Sequence, residues 1–151
     1  MRPAMDNFAF EVAETARLIR REANKRAGIL GATKAQWRVL ARLHRTGDGV
    51  RQIALADALD VEPITLCRMI DRLEEGGLVE RRRDNEDRRA WRIFLTPAAA
   101  PVIAKLETMG IAFNADILAG VSDEDSAAAR RVLARIRTNL DQIDQEFEQA
   151  S

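Results

Sequence analysis

The sequence predicts a mainly α fold with a small β-hairpin wing, a winged helix-turn-helix flanked by N- and C-terminal dimerisation helices. Three observations predict it. Two short helical patterns meet across about three residues at Leu59-Asp60-Val61, the spacing of a helix-turn-helix. Two strand-like runs, Leu78 to Arg83 and Ala90 to Leu95, follow at once around a polar loop. Amphipathic patterns on both sides of this unit carry more apolar stripe than one small lobe can cover.

Each element has its own signal. Asp6 or Asn7 caps a first helix from Phe8 to about Ala27, with Phe8, Val12, Thr15, Ile19 and Ala23 at helical spacing and Gly28 as its stop. Thr33 and Gln36 have the spacing of a capping box. Trp37, Leu40, Ala41 and His44 share one face of the second helix, which ends at Thr46-Gly47. The third helix spans Arg51 to Leu59. Asp60, a residue that tolerates a left-handed backbone, makes the turn, and Pro63 opens a fourth helix that Gly76-Gly77 closes. Ile53, Ala54, Leu59, Val61, Leu66, Ile70 and Leu73 have the spacing of an inner seam between these two helices. In the second strand Trp91, Ile93 and Leu95 alternate with Arg92 and Phe94. Thr96-Pro97 restarts a helix that runs to Leu118 or Ala119, with a kink expected at Pro101. Ser122 with Asp125 starts the last helix, striped by Val132, Ile136, Leu140, Ile143 and Phe147.

The chain has 151 residues, room for one domain with a real core. Apolar residues make up 46% and charged residues 32%, which excludes collagenous, mucin-like and disordered classes. No run approaches the ~20 apolar residues of a membrane span, and the first nine residues lack a signal-peptide core. One cysteine and one histidine leave no disulfide framework and no structural zinc site. A cytoplasmic protein without metal or other cofactor is expected. The 24 basic and 24 acidic side chains cancel. The cancellation is segregated, since Arg81 to Arg92 holds six arginines against three carboxylates.

The seam leaves Ile64, Thr65, Arg68 and Arg72 outward on the fourth helix, a shape that fits the major groove of B-DNA. There Arg68 can bond guanine O6 and N7, Thr65 a base or phosphate, and Ile64 or Pro63 a thymine methyl. The bland alternative pairs Arg68 and Arg72 with neighbours such as Glu75. The turn and hairpin on either side favour the first. Arg88 and Arg89 at the hairpin tip suit a narrow minor groove, unless Asp84 and Asp87 simply neutralise them in a solvated loop. Arg81 to Arg83 would then face phosphates.

The run Glu62 to Arg81, EPITLCRMIDRLEEGGLVER, resembles the recognition helix and first wing strand of the MarR family of regulators. Asp84-Asn85-Glu86-Asp87-Arg88-Arg89-Ala90 followed by Leu95-Thr96 is similar to that family's wing motif. Trp37, Ala100 to Ile103 and Ile117 to Ser122 are similar to the SlyA-like branch. The resemblance covers nearly the whole chain and implies a single MarR-type domain over residues 1 to 151. Within it lie a DNA-binding lobe at 33 to 95 and dimerisation helices at 6 to 30 and 97 to 149. It implies a homodimeric repressor on double-stranded, pseudo-palindromic DNA. It further implies a small aromatic effector, in a pocket that family position puts near Arg17, Trp37 and His44. Oxidant-sensing members carry a reactive cysteine near the N-terminus, whereas Cys67 lies in the recognition helix, where a small half-buried residue explains it better than a redox switch. Enzyme function is not expected: there is no glycine-rich phosphate loop or nucleophile elbow, and His44 stands alone. The other readings are a helical dimeric scaffold with a degenerate winged helix, and a redox-responsive regulator using Cys67.

Overall fold

The computed structural model describes residues 7–30 and 33–150. Its elements are α1 (Phe8–Ile29), α2 (Lys34–Thr46), β1 (Val50–Arg51), α3 (Gln52–Ala58), α4 (Pro63–Glu75), β2 (Val79–Arg83), β3 (Trp91–Leu95), α5 (Ala99–Ile117) and α6 (Asp123–Ala150). Among the described residues helices dominate and the sheet is small, as the sequence predicts. The chain divides into two compact units, residues 1–111 and 112–151, with the boundary inside α5.

Local chemistry places most boundaries. Asn7 Oδ1 accepts the Phe10 N–H at 3.1 Å and caps α1; the other candidate, Asp6, lies outside the described residues. The helix passes Gly28 and ends at Ile29, because one glycine costs a helix only about 1 kcal/mol relative to alanine. The Thr33–Gln36 capping box is reciprocal, each side chain accepting the other residue's N–H at 3.2 Å. Asp60 sits at φ 52° in the turn, and Val61 N–H closes it on the Ala56 carbonyl at 3.1 Å. Pro63 begins α4, where its missing N–H costs nothing. Gly77 adopts φ 73° just beyond it.

The sheet has three strands, not the two of a bare hairpin. Its order is β1-β3-β2, all antiparallel, with Val50 opposite Ile93 and Arg51 opposite Arg92. β1 takes Val50 and Arg51 into the sheet, so α3 starts one residue later than the sequence suggests, and its inner face follows the helical spacing of Leu55 and Leu59. The α3 side of the seam is therefore Leu55, Ala56 and Leu59, against Leu66, Met69, Ile70 and Leu73 of α4. Ala56 supplies the close approach expected of Ala54, and Ile53 is 62% exposed. Ala27 of α1, Val39, Leu40 and Leu43 of α2, Val79 and Ile93 of the sheet, and Ala99, Ile103 and Leu106 of α5 complete that core. Gly49 is required where β1 meets the hairpin: its φ is 80°, and an added Cβ would lie 3.1 Å from the Phe94 ring.

α5 begins at Ala99, after a turn in which the Ala99 N–H bonds to the Thr96 carbonyl. Pro101 is thus the third helical residue, among N–H positions without intrahelical partners, so the argument for a kink there falls away. Ser122 Oγ accepts the Asp125 N–H at 3.1 Å ahead of α6. No residue of α6 is buried, and Leu133, Leu140, Ile143 and Phe147 are exposed along it. Among the described residues no helix is long and apolar enough to cross a membrane.

Candidate nucleic-acid interface

The helix-turn-helix buries one face of α4 and exposes the other. Pro63, Ile64, Thr65, Arg68 and Arg72 all lie on the exposed side, with Ile64 63% exposed. The pairing of Arg68 and Arg72 with Glu75 is not made: among the described residues no ion pair engages either arginine. Two neighbouring acids of α4, Asp71 and Glu74, are instead taken by Arg81.

β2 runs back along α4, and its two-residue period decides which arginines turn inward. Val79 and Ile93 are buried, and Arg81, two residues after Val79 and opposite Ile93, shares their face. Its guanidinium meets Asp71 Oδ1 at 2.7 Å and Glu74 Oε1 at 3.1 Å, and donates to Gln52 Oε1 at 3.0 Å and the Cys67 carbonyl at 3.1 Å. Burial lowers its pKa, but the bonds to Asp71 and Glu74 outweigh that and raise it. The side chain is 12% exposed. Arg81, expected among the phosphate-facing arginines, is thus committed to a clamp between α3, α4 and β2. Cys67 is half-buried beneath that clamp, its Sγ 3.7 Å from the guanidinium. The sequence signal for the clamp was present in the alternation from Val79 through Arg81.

The wing is built on Asp84. This carboxylate is 2% exposed, yet all its bonds are made. Oδ1 accepts the N–H of Glu86 at 2.8 Å and of Asp87 at 3.2 Å, and Oδ2 accepts Arg51 Nε at 3.0 Å and Arg92 Nε at 2.7 Å. Asp84 therefore neutralises framework arginines from β1 and β3, not Arg88 or Arg89. Asp87 accepts the Arg89 N–H at 3.0 Å, and Arg83 donates to the Arg88 carbonyl while stacking 3.9 Å above Trp91. Arg88 and Arg89 are exposed at the tip, and among the described residues no ion pair takes them up. The Glu86 N–H lowers the Asp84 pKa most; burial opposes it, and the Asp87 N–H and Arg51 add to the lowering, from 3.8 to about 2.

The sign of the pH effect follows. A carboxylate whose pKa is lower in the fold than in the unfolded chain stabilises fully above pH 3.8, and that contribution is lost as pH falls toward about 2. Asp84→Asn is expected to melt below the parent at neutral pH, with the two melting curves converging through that acid window. Curves that stay parallel down to about pH 2 would remove the carboxylate as the source.

Arg17, Trp37 and His44 have three separate partners. Arg17 pairs with Glu14 at 2.6 Å on its own helix, Trp37 Nε1 donates to Asn24 Oδ1 at 2.8 Å, and His44 Nε2 meets Glu107 Oε1 at 2.5 Å. The Arg17–Glu14 bonds raise the Arg17 pKa and lower that of Glu14.

Residues 32–91 match the model of the MarR family. The transcriptional regulator PA3341 is similar in structure, with a TM-score of 0.80 and 40% identity, covering 89% of this chain and 98% of its own. A MarR-family regulator from Silicibacter pomeroyi shares 27% identity at a TM-score of 0.75, over 87% of this chain and 88% of its own. The transcriptional regulator SlyA also shares 27% at 0.75, over 93% and 98%. With the helix-turn-helix, the three-stranded wing and these likenesses in agreement, the chain belongs to the MarR family of transcriptional regulators.

Proposed function

We propose that this protein is a sequence-specific DNA-binding repressor that acts as a homodimer on a pseudo-palindromic operator. The observation that carries the reading is the exposed charge of Arg68 and Arg72 on α4 and of Arg88 and Arg89 on the wing, engaged by no ion pair among the described residues. Exposed arginines without carboxylate partners among the described residues, on a helix and on a wing, match a polyanion with two grooves. Arg68 reads a base edge in the major groove, with Pro63, Ile64 and Thr65 beside it and Arg72 toward the backbone, while Arg88 and Arg89 enter the minor groove. Arg81 holds the frame from inside.

The acidic α6 supports a dimerisation role. Leu133, Ile136, Leu140, Ile143 and Phe147 recur at spacings of three and four, the stripe of a helix that packs against another. The proposed units are the lobe at 33 to 95 and dimerisation helices at 6 to 30 and 97 to 149. Release by a small aromatic effector rests on the family resemblance.

Arg68→Ala is the test. Loss of a bidentate base contact costs about 1–3 kcal/mol and relaxes preference at one position, whereas loss of a phosphate contact weakens all sequences alike. Affinities measured against every single-base variant of a selected operator are expected to flatten at one position per half-site. An unchanged profile in a folded variant rejects base readout by Arg68.

A further inference from the structure

The capping position of a helix ordinarily carries a short side chain, Ser, Thr, Asp or Asn, that folds back onto the first-turn N–H groups. α4 has Glu62 there instead. Its backbone is extended, at φ −61° and ψ 143°, its carbonyl accepts the Leu66 N–H at 3.0 Å, and its side chain makes no capping bond. The residue is exposed, and no ion pair engages its carboxylate among the described residues. An acid thus stands at the leading end of the helix whose outer face carries Arg68 and Arg72. We propose that Glu62 is a specificity-determining residue whose carboxylate accepts the N4 amino group of one cytosine in each half-site. The inference rests on the DNA-binding reading above and adds a base to what the operator must contain.

The chemistry of the groove selects the base. An ionised carboxylate only accepts hydrogen bonds, so against DNA it either meets a donor or is repelled. In the major groove guanine and thymine offer it acceptors, while cytosine and adenine offer amino donors. Adenine sets its N7 acceptor beside that donor and cytosine does not. Cytosine is therefore the base that suits this acid. Position separates Glu62 from the other acids of α4. Asp71 and Glu74 are held by Arg81. Glu75 is engaged by no ion pair among the described residues, but it closes α4, and the N-terminal residues of a recognition helix are those that reach base edges. Glu62 stands six residues before Arg68, a rise of about 9 Å along the helix. The cytosine met by one and the guanine met by the other then fall within about three base pairs, at ~3.4 Å each.

The test measures the full chain, parent and variants, against every single-base variant of a duplex selected from random DNA. Glutamine bonds adenine N6 and N7 in a bidentate pair. Glu62→Gln is therefore expected to move the preference at one position per half-site from cytosine to adenine, by about tenfold, the scale of one mismatched base pair. The position met by Arg68 should keep its profile. Glu62→Ala should flatten the cytosine position and bind unrelated duplex at least as tightly as the parent, because a repulsive charge is gone. A carboxylate that merely favours the start of α4 through the helix dipole would lower the melting temperature of both variants and leave every base preference alone. That result, a uniform change across all sequences, or an altered position more than about three base pairs from that of Arg68 overturns the proposal. Arg68→Ala run in parallel separates the two failures. A base preference lost there, with parent-like profiles in both Glu62 variants, rejects only this contact, whereas no sequence preference in the parent rejects the DNA-binding reading and the contact together.

Discussion

The double variant Leu140→Asp, Ile143→Asp is expected to convert the proposed dimer into monomers and to weaken binding to a duplex with both half-sites by about 100- to 10,000-fold. Both residues are exposed on α6, which buries none of its own side chains. A helix with a continuous apolar stripe and no buried residue is stable only when another surface covers the stripe. Two carboxylates in that stripe repel their symmetry mates across a two-fold interface, where each position meets its own surroundings twice. The loss in affinity comes from tethering: with two lobes joined, the second half-site binds at high effective concentration, and separate monomers forfeit that gain. Sedimentation equilibrium reads the oligomer, and a duplex with one half-site supplies the control, on which parent lobe and variant lobe should bind alike. A monomeric variant that holds the full operator as tightly as the parent would reject dimerisation as part of DNA binding.

Arg81→Ala is expected to destabilise the fold by about 2 kcal/mol, using ~1.5–3 kcal/mol for hydrogen bonds to charged groups and discounting for the half-exposed carboxylates of Asp71 and Glu74. For a chain of this size that lowers Tm by about 4–8 °C. The variant also frees two carboxylates near Arg68 and Arg72, so DNA binding should weaken beyond what instability explains. Salt dependence distinguishes the clamp from a phosphate contact. Removing a phosphate contact cuts the slope of log affinity against log salt by about one and leaves melting unchanged. A lowered slope with a parent-like melt would return Arg81 to the DNA surface.

Why one arginine of this run turns inward while others stay out shows what a sequence can carry. Signals contained in a few neighbouring residues were legible: the reciprocal Thr33–Gln36 cap, Asp60 at positive φ, Pro63 at the start of α4 and the glycines after it. Readings that depend on pairing across long separations were not. β1 is two residues paired with β3, about 40 positions later; Ile53, by contrast, was misplaced against a local signal, because Leu55 and Leu59, four residues apart, already marked the buried face of α3. Asp84 was considered only as a neutraliser of Arg88 and Arg89, whereas its partners, Arg51 and Arg92, come from two other strands. The helix-turn-helix face of α4 survived because its period is set within the helix, independent of what packs behind it.

The short third strand changes what the lobe is mechanically. β3 lies between β2 and β1, and the residue after β1 is the first of α3. Arg51 and Arg92 hold one Asp84 oxygen from adjacent strands. A swing of the hairpin would break β1–β3 hydrogen bonds beside the first residue of α3, so in the DNA complex proposed above the lobe would act as a gauge for one groove spacing. Such a gauge would resist internal adjustment. In the dimer proposed here, a signal that switches operator affinity has one variable left to act on, the distance between two rigid gauges.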